Sequence, residues 1–252
     1  MEITKKQYEK IKHLLPVQRG NVKINNLIFI NALLYICEND CKWRRLPPEY
    51  GYWHVIYKRF RRWVEAGIIE KLFRKLHVQN ILKLNPSALS LDSRTVKVHP
   101  DACGAFKKNG KQAIGRSKGG LTTKIHMMCA NERKAVDFIL SEGQRHDAPQ
   151  GRLLMETVDK PDNYTPLLMD RAYEDDLTRY TAQILNFRPI VPPKKNRKRP
   201  WKYDKTLYKR RNEIERLFRL LCGFRRIFCR YEKLDIMFIG FIHLALVFVS
   251  IS

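Results

Sequence analysis

The apolar residues of this chain change period near Pro86, and the fold has to accommodate both patterns. Before that point they recur at helical spacing: Leu27, Ile30, Leu34 and Cys37 share one face of a helix predicted over residues 24–37. A helix over 8–15 precedes it across a turn at 16–20, and a helix over 51–66 follows the turn at Leu46-Pro47-Pro48. Beyond Pro86 the runs shorten and fill with β-branched residues. Residues 88–98, 121–129 and 135–140 read as three successive strands, antiparallel neighbours bounded by Gly, Pro, Asn or Asp. A helix over 148–158, an apolar run ending in Asp170, a helix over 175–185 and a strand over 188–191 then alternate.

Strands first and alternation afterwards predict an α/β core of ribonuclease H type, a mixed five-stranded sheet with helices on its faces. On this reading residues 1–85 form a helical, helix-turn-helix-like region. Residues 86–252 form the α/β core, including a basic segment at 194–211 and terminal helices. The run 236–252 is the one membrane suspect. At ~1.5 Å per residue its 17 residues fall short of a ~30 Å hydrocarbon core, so a buried C-terminal apolar helix is expected rather than a span. Residues 1–12 are polar and charged, unlike a signal peptide. The six cysteines form no CxxC pairs, which fits reduced, structural thiols in a cytosol.

The formal net charge is +24 over 252 residues, and it is unevenly placed. Residues 1–90 carry 17 basic and 7 acidic side chains, 91–190 carry 16 and 13, and 191–252 carry 16 and 5. Basic ends around a nearly balanced middle suit a polyanion gripped by the flanks of a centre that keeps its acids. The helix over 51–66 sets Lys58, Arg59, Arg61 and Arg62 opposite Trp53, Ile56, Tyr57, Phe60 and Trp63, a face that suits a DNA groove and equally a solvated amphipathic helix. The segment 194–211 holds ten Lys or Arg against Asp204 alone, including Lys194, Lys195, Arg197, Lys198 and Arg199. Trp201, Tyr203 and Tyr208 are interleaved, giving cations for phosphates and rings for unstacked bases. Lys118 adds a cation in the glycine-rich connection 104–120.

Three carboxylates stand apart from this basic background. Asp92 lies mid-strand in LSLDSR, where an ionised group is costly to bury unless it is paired or bound to metal. Asp170 follows Leu167-Leu168-Met169 at a strand end, where sites of α/β sheets form. On the helix starting near Tyr208, residues 208, 211 and 215 share a face, whereas Glu213 points away, which selects Glu215. Two or three carboxylates converging from separate elements are what Mg²⁺ needs when paired ions cut a phosphodiester.

The spacing Tyr208-x2-Arg211-x3-Glu215 resembles the signature of DDE transposases of small bacterial insertion sequences, within the IS-four and IS-five group. It is accompanied in order by WRRLPPEYG at 43–51, LDS at 91–93, GRSKGGLTTKIH at 115–126, GQRHD at 143–147 and MDRAY at 169–173. The resemblance implies that Asp92, Asp170 and Glu215 are the catalytic, metal-binding triad for two Mg²⁺ or Mn²⁺ ions. It implies an N-terminal region that recognises terminal inverted repeats. It also implies strand cleavage followed by transfer of 3′ hydroxyls to target DNA, with a homodimer or larger assembly on the DNA and no small-molecule cofactor. The expected location is the bacterial cytoplasm, in association with the nucleoid, and no membrane partner is expected.

The family pattern usually continues with a lysine seven residues past the glutamate, and here that position is Cys222. Arg219, four residues past Glu215, could supply the missing cation for DNA, as could Arg225 or Arg226. A decayed DNA-binding relative is the alternative that Cys222 favours and the intact triad disfavours. A basic RNA-binding or ribosome-associated protein would explain the charge but not the carboxylates.

Overall fold

The structure, a computed structural model, describes residues 1–20, 22–81 and 86–252. They group into two compact units, one of Met1–Leu76, Val98–Gln112 and Leu220–Ser252, the other of His77–Lys97 and Ala113–Arg219. The boundary expected at residue 85 lies outside the described residues, and the compact units divide the chain differently from a single cut there.

In the first unit, α1 (Lys5–Lys12) starts three residues before the predicted helix, because Thr4 and Gln7 cap it reciprocally. Gln7 N donates to Thr4 Oγ1 at 3.2 Å and Thr4 N to Gln7 Oε1 at 2.8 Å. The next helix, α2 (Asn26–Asn39), is capped by Asn25, whose Oδ1 accepts from Ile28 N at 2.9 Å, and it buries Phe29, Ile30, Leu33 and Leu34. Then follow α3 (Trp53–Glu65), which buries Ile56, Phe60 and Trp63, and α4 (Ile68–Ile81).

The second unit is built on a sheet of β1 (Leu89–Val98), β2 (Gly115–Ser117), β3 (Gly120–Asn131), β4 (Lys134–Glu142), β5 (Thr165–Met169) and β6 (Phe187–Ile190). Antiparallel pairing joins β1 to β3 and β3 to β4, whereas β1 to β5 and β5 to β6 are parallel. The parallel strands need crossovers, supplied by α5 (Asp147–Thr157) before β5 and α6 (Asp176–Ile184) before β6. The three successive strands read from the sequence are therefore antiparallel neighbours. Its glycine-rich connection, however, also holds β2, a three-residue strand too short to show a period.

Strand alternation gives the sheet two faces. Leu89 and Leu91 pack with Leu154, Met155, Tyr173 and Ala182 on the side of α5 and α6. A Cβ at Gly151 would sit 2.5 Å from Tyr173 Cε1, so only glycine lets α5 come this close. On the opposite face Ala88, Leu168 and Ile190 meet Tyr203, Leu207 and Tyr208. There the chain forms α7 (Lys205–Tyr208), a 3₁₀ turn at Lys209–Arg211 and α8 (Asn212–Cys222).

The first unit is completed by α9 (Arg225–Phe228) and α10 (Asp235–Ile251). Apolar on all sides, α10 is buried along most of its length; a Cβ at Gly240 would lie 2.6 Å from Val64 Cγ2, and Phe241 packs on Phe60 with ring centroids 4.6 Å apart. Buried Arg226 donates to Glu232 Oε1 at 2.7 Å and to Cys41 O at 3.0 Å. Among the described residues, no helix is long and apolar enough to cross a membrane.

Candidate active site

On β1, Asp92 follows Leu91, which is paired with Met169 at the end of β5, and Asp170 follows Met169, close enough for its charge to act on Asp92. Alternation turns both away from α5 and toward the face covered by α7 and α8. There Arg211 Nη1 donates to Asp92 Oδ2 at 2.6 Å, and its Nη2 reaches Glu215 Oε1 one helical turn on. Glu213 turns instead to Arg210, with Nε–Oε1 of 3.1 Å. Two carboxylates from separate elements thus share one guanidinium.

The surroundings of the two aspartates differ. Burial pushes the Asp92 carboxyl up to about 6, and the negative charge of Asp170 adds to the rise; the Ser93 N–H and Arg211 oppose it. Asp170 caps the short 3₁₀ turn Arg171–Tyr173, its Oδ1 accepting from Ala172 N at 2.7 Å. Tyr208 completes this side: burial raises its phenol, and the charges of Arg211 and Asp170 both act on it. Among the described residues, no three His, Cys, Asp or Glu side chains are gathered closely enough to hold a metal ion.

The other face of the sheet holds a second polar cluster that sequence reasoning missed. Asp147, at the start of α5, accepts from Ser93 Oγ at 2.8 Å and from Lys124 Nζ at 3.0 Å. Lys124 Nζ also donates to Arg145 O at 2.8 Å, and fully buried His126 meets Ser141 Oγ at 2.8 Å through Nε2. Lys124 and His126 alternate within the quoted GRSKGGLTTKIH, and Asp147 ends GQRHD; combining strand period with those motifs would have found the cluster.

Burial holds His126 down at about 4, against an ordinary 6.5. As pH falls from 6.5 to 4 the unfolded chain binds a proton that the folded chain excludes, so stability is lost through that window. His126→Gln should flatten this part of the profile of melting temperature against pH; an unchanged slope would contradict it.

Several residues expected on DNA have internal duties. Lys58, Arg61 and Arg62 are exposed on α3, with Arg61 paired to Glu65 at 2.7 Å. Arg59 shares a face with Ile56 and Trp63, lies 4.2 Å over the Phe29 ring, and donates to Ile24 O at 2.9 Å and to Asn26 Oδ1. Trp201 is engaged inside the chain as well. Its Nε1–H donates to Val191 O at 2.9 Å, and the guanidinium carbons of Arg179 and Arg197 lie 3.5 and 4.7 Å from the ring centroid.

Arg197 also pairs with Glu174 at 3.1 Å and with Asp176, and Lys194 with Glu174 at 3.2 Å. Lys118, Lys195, Lys198 and Arg199 are exposed. Lys198→Ala or Arg199→Ala should therefore lower the salt dependence of DNA binding by roughly one ion each. Trp201→Ala should lower the melting temperature and leave that salt slope unchanged; the reverse pattern in binding isotherms at several salt concentrations would contradict the assignment. Arg226 is buried with Glu232 and so does not replace the lysine missing at Cys222, whereas Arg219 and Arg225 are exposed.

Comparisons with known proteins agree with these features. Residues 3–73 match the family model "Putative transposase of IS4/5 family", and residues 83–249 match "Transposase DDE domain". A Brucella ovis protein, "Putative transposase for insertion sequence element IS6501", is 30% identical over 126 residues, covering 50% of this chain and 95% of the relative. "Uncharacterized protein y4sN" of Sinorhizobium fredii is 31% identical over 108 residues, covering 41% of this chain and 82% of the relative. Among solved structures, the piggyBac transposase synaptic complex with hairpin DNA shares the fold, with a TM-score of 0.51 at 9% identity over 97% of this chain and 69% of that one.

Proposed function

The chain belongs to the family of transposases with a DDE domain, and from that premise we propose that it binds its element's inverted-repeat ends, cuts them and transfers the freed strands to target DNA. Asp92, Asp170 and Glu215 are the catalytic carboxylates of this reading. The observation that carries it is the convergence of Asp92 and Glu215 on one cation, Arg211, with the charge of Asp170 acting on Asp92.

The strand order β4-β3-β1-β5-β6, with β1 at the centre, supports a ribonuclease H-like core. Hard oxygen donors from a strand, a strand end and a helix suit Mg²⁺ or Mn²⁺, and the guanidinium between two of them marks where positive charge is favourable. Two such ions held by Asp92, Asp170 and Glu215 would activate the attacking hydroxyl and stabilise the leaving oxygen.

The chain's own groups do the rest. Asp92 on β1 is held by the Ser93 N–H, and Asp170, at the cap of the 3₁₀ turn that follows β5, by the Ala172 N–H. With cations held by the carboxylates, Arg211 would be available to pair with a DNA phosphate, as would exposed Arg219. Lys58, Arg61 and Arg62 in the helical region of residues 1–85 and the cations Lys195, Lys198 and Arg199 grip the backbone of the DNA ends.

The test is cleavage of linear DNA bearing the element's own ends by the purified protein. Nicks with 3′ hydroxyls at the inverted-repeat termini are expected with Mg²⁺ or Mn²⁺ and none in EDTA. No nick with either metal would sink the reading. Cys222 favours a second reading, a DNA-binding relative that has lost catalysis. Under it Cys222→Lys switches cleavage on in an otherwise silent protein; under the first, wild-type protein already cuts.

A further inference from the structure

The polar cluster on the α5 face of the sheet is bonded to the residue next to Asp92. Alternation along β1 puts Ser93 on that face, opposite to Asp92. Ser93 is bonded in both directions: its N–H donates to Asp92 Oδ1 at 2.8 Å, and its Oγ–H donates to Asp147 Oδ1 at 2.8 Å. The same oxygen of Asp147 accepts from Lys124 Nζ at 3.0 Å. The ladder to β5 stops at Leu91, so the tie to α5 begins where the support from β5 ends.

The same helix reaches the turn that carries Asp170. Asp147 and Gly151 are i and i+4 and share one face of α5. A Cβ at Gly151 would lie 2.5 Å from Tyr173 Cε1 and 3.4 Å from Leu91 Cδ2, so glycine lets α5 sit against both. Fully buried Tyr173 ends the turn that Asp170 caps, and its N–H donates to Asp170 O at 3.2 Å. One face of one helix thus abuts Ser93, beside Asp92, and the turn that holds Asp170.

The start of α5, where negative charge is favourable, and Lys124 would by themselves account for an acid at 147. Neither calls for a hydroxyl at 93. Groups that hold a metal ligand are themselves held by partners behind them, and the chain Asp92–Ser93–Asp147 has that form. We propose that Asp147 is a positioning residue for the cleavage reaction: bonded to Ser93 from the helix that also seats Tyr173, it fixes where the Asp92 carboxylate stands relative to Asp170. The inference rests on the reading of Asp92 and Asp170 as catalytic carboxylates.

Ser93→Ala, Ser93→Thr and Asp147→Ala test it in the full chain bound to its element end. Two quantities are measured, the Mn²⁺ affinity of the complex by electron paramagnetic resonance titration and the single-turnover cleavage rate at saturating Mn²⁺. Ser93→Ala and Asp147→Ala should each lower the affinity, the rate or both by about 10–100-fold. Affinity for the DNA should stay at the wild-type value, because phosphate binding resides in cations elsewhere. Ser93→Thr keeps the hydroxyl at a strand position that suits β-branching and should restore wild-type values. Thermal melts check folding, and if Asp147→Ala does not fold, the two Ser93 variants decide alone. Ser93→Ala or a folded Asp147→Ala that matches wild type in both quantities overturns the proposal, and so does Ser93→Thr as impaired as Ser93→Ala. Wild-type protein that cuts no DNA but binds Mn²⁺ in a way that depends on the Ser93 hydroxyl and Asp147 upholds the positioning and defeats the cleavage reading. Wild-type cutting that is indifferent to both residues does the reverse.

Discussion

Asp92→Ala, Asp170→Ala and Glu215→Ala should each lower metal-dependent cleavage of element ends by about 10³-fold or more, the scale on which a preorganised charge-stabilising group acts. Binding of the same DNA should change little, because phosphate affinity resides in cations outside the triad. The three losses should not multiply: groups that act as a unit are non-additive, so the triple variant should be about as inactive as the worst single one. Single-turnover cleavage beside filter binding separates the two effects. A variant that loses binding and cleavage in parallel would show that the carboxylate shapes the protein rather than the reaction. Asp170 is the residue at most risk of that outcome, since its side chain also caps the turn at Arg171–Tyr173.

The largest effect on stability is expected at Arg226. Its side chain and that of Glu232 are 6 and 9% exposed and 2.6 Å apart at the closest pair of atoms, and Arg226 also bonds Cys41 O. Arg226→Ala leaves Glu232 buried without its partner and strips a donor from the carbonyl, at a cost of about 3 kcal/mol or more. Arg226→Met with Glu232→Leu removes both charges and should recover most of the loss, because the desolvation of an unpaired charge disappears with the charge. Denaturant midpoints at pH 7 measure both. A single substitution costing under about 0.5 kcal/mol would place the pair among weak surface bridges.

The contrast between what could and could not be read from the sequence follows from range. Strand alternation is local, so the strand settings of Asp92 and Asp170 were visible before any contact was known. Their proximity needed the parallel register of β1 and β5, which depends on α5 and three antiparallel strands intervening in the chain. Helical phase set Glu215 on the face of Arg211, but not that Arg211 reaches across to Asp92, 119 residues away.

The internal partners of Arg59 and Trp201 were not legible, because a basic or aromatic side chain looks free in a sequence until its acceptor, here the carbonyl of Ile24 or of Val191, is known. Periodicity carries no information about which helices pack together, so the contact of α10 with the N-terminal helices is not legible in the sequence. Gly240 against Val64 records that packing.

Anomalous scattering from Mn²⁺ in crystals of wild-type protein bound to its element end tests the assignment of the three carboxylates most directly. Two peaks roughly 3.5–4 Å apart are expected among Asp92, Asp170 and Glu215, with the Arg211 guanidinium moved away from Asp92 and Glu215. Mn²⁺ at saturating concentration bound elsewhere, with Arg211 still bridging Asp92 and Glu215, would contradict it.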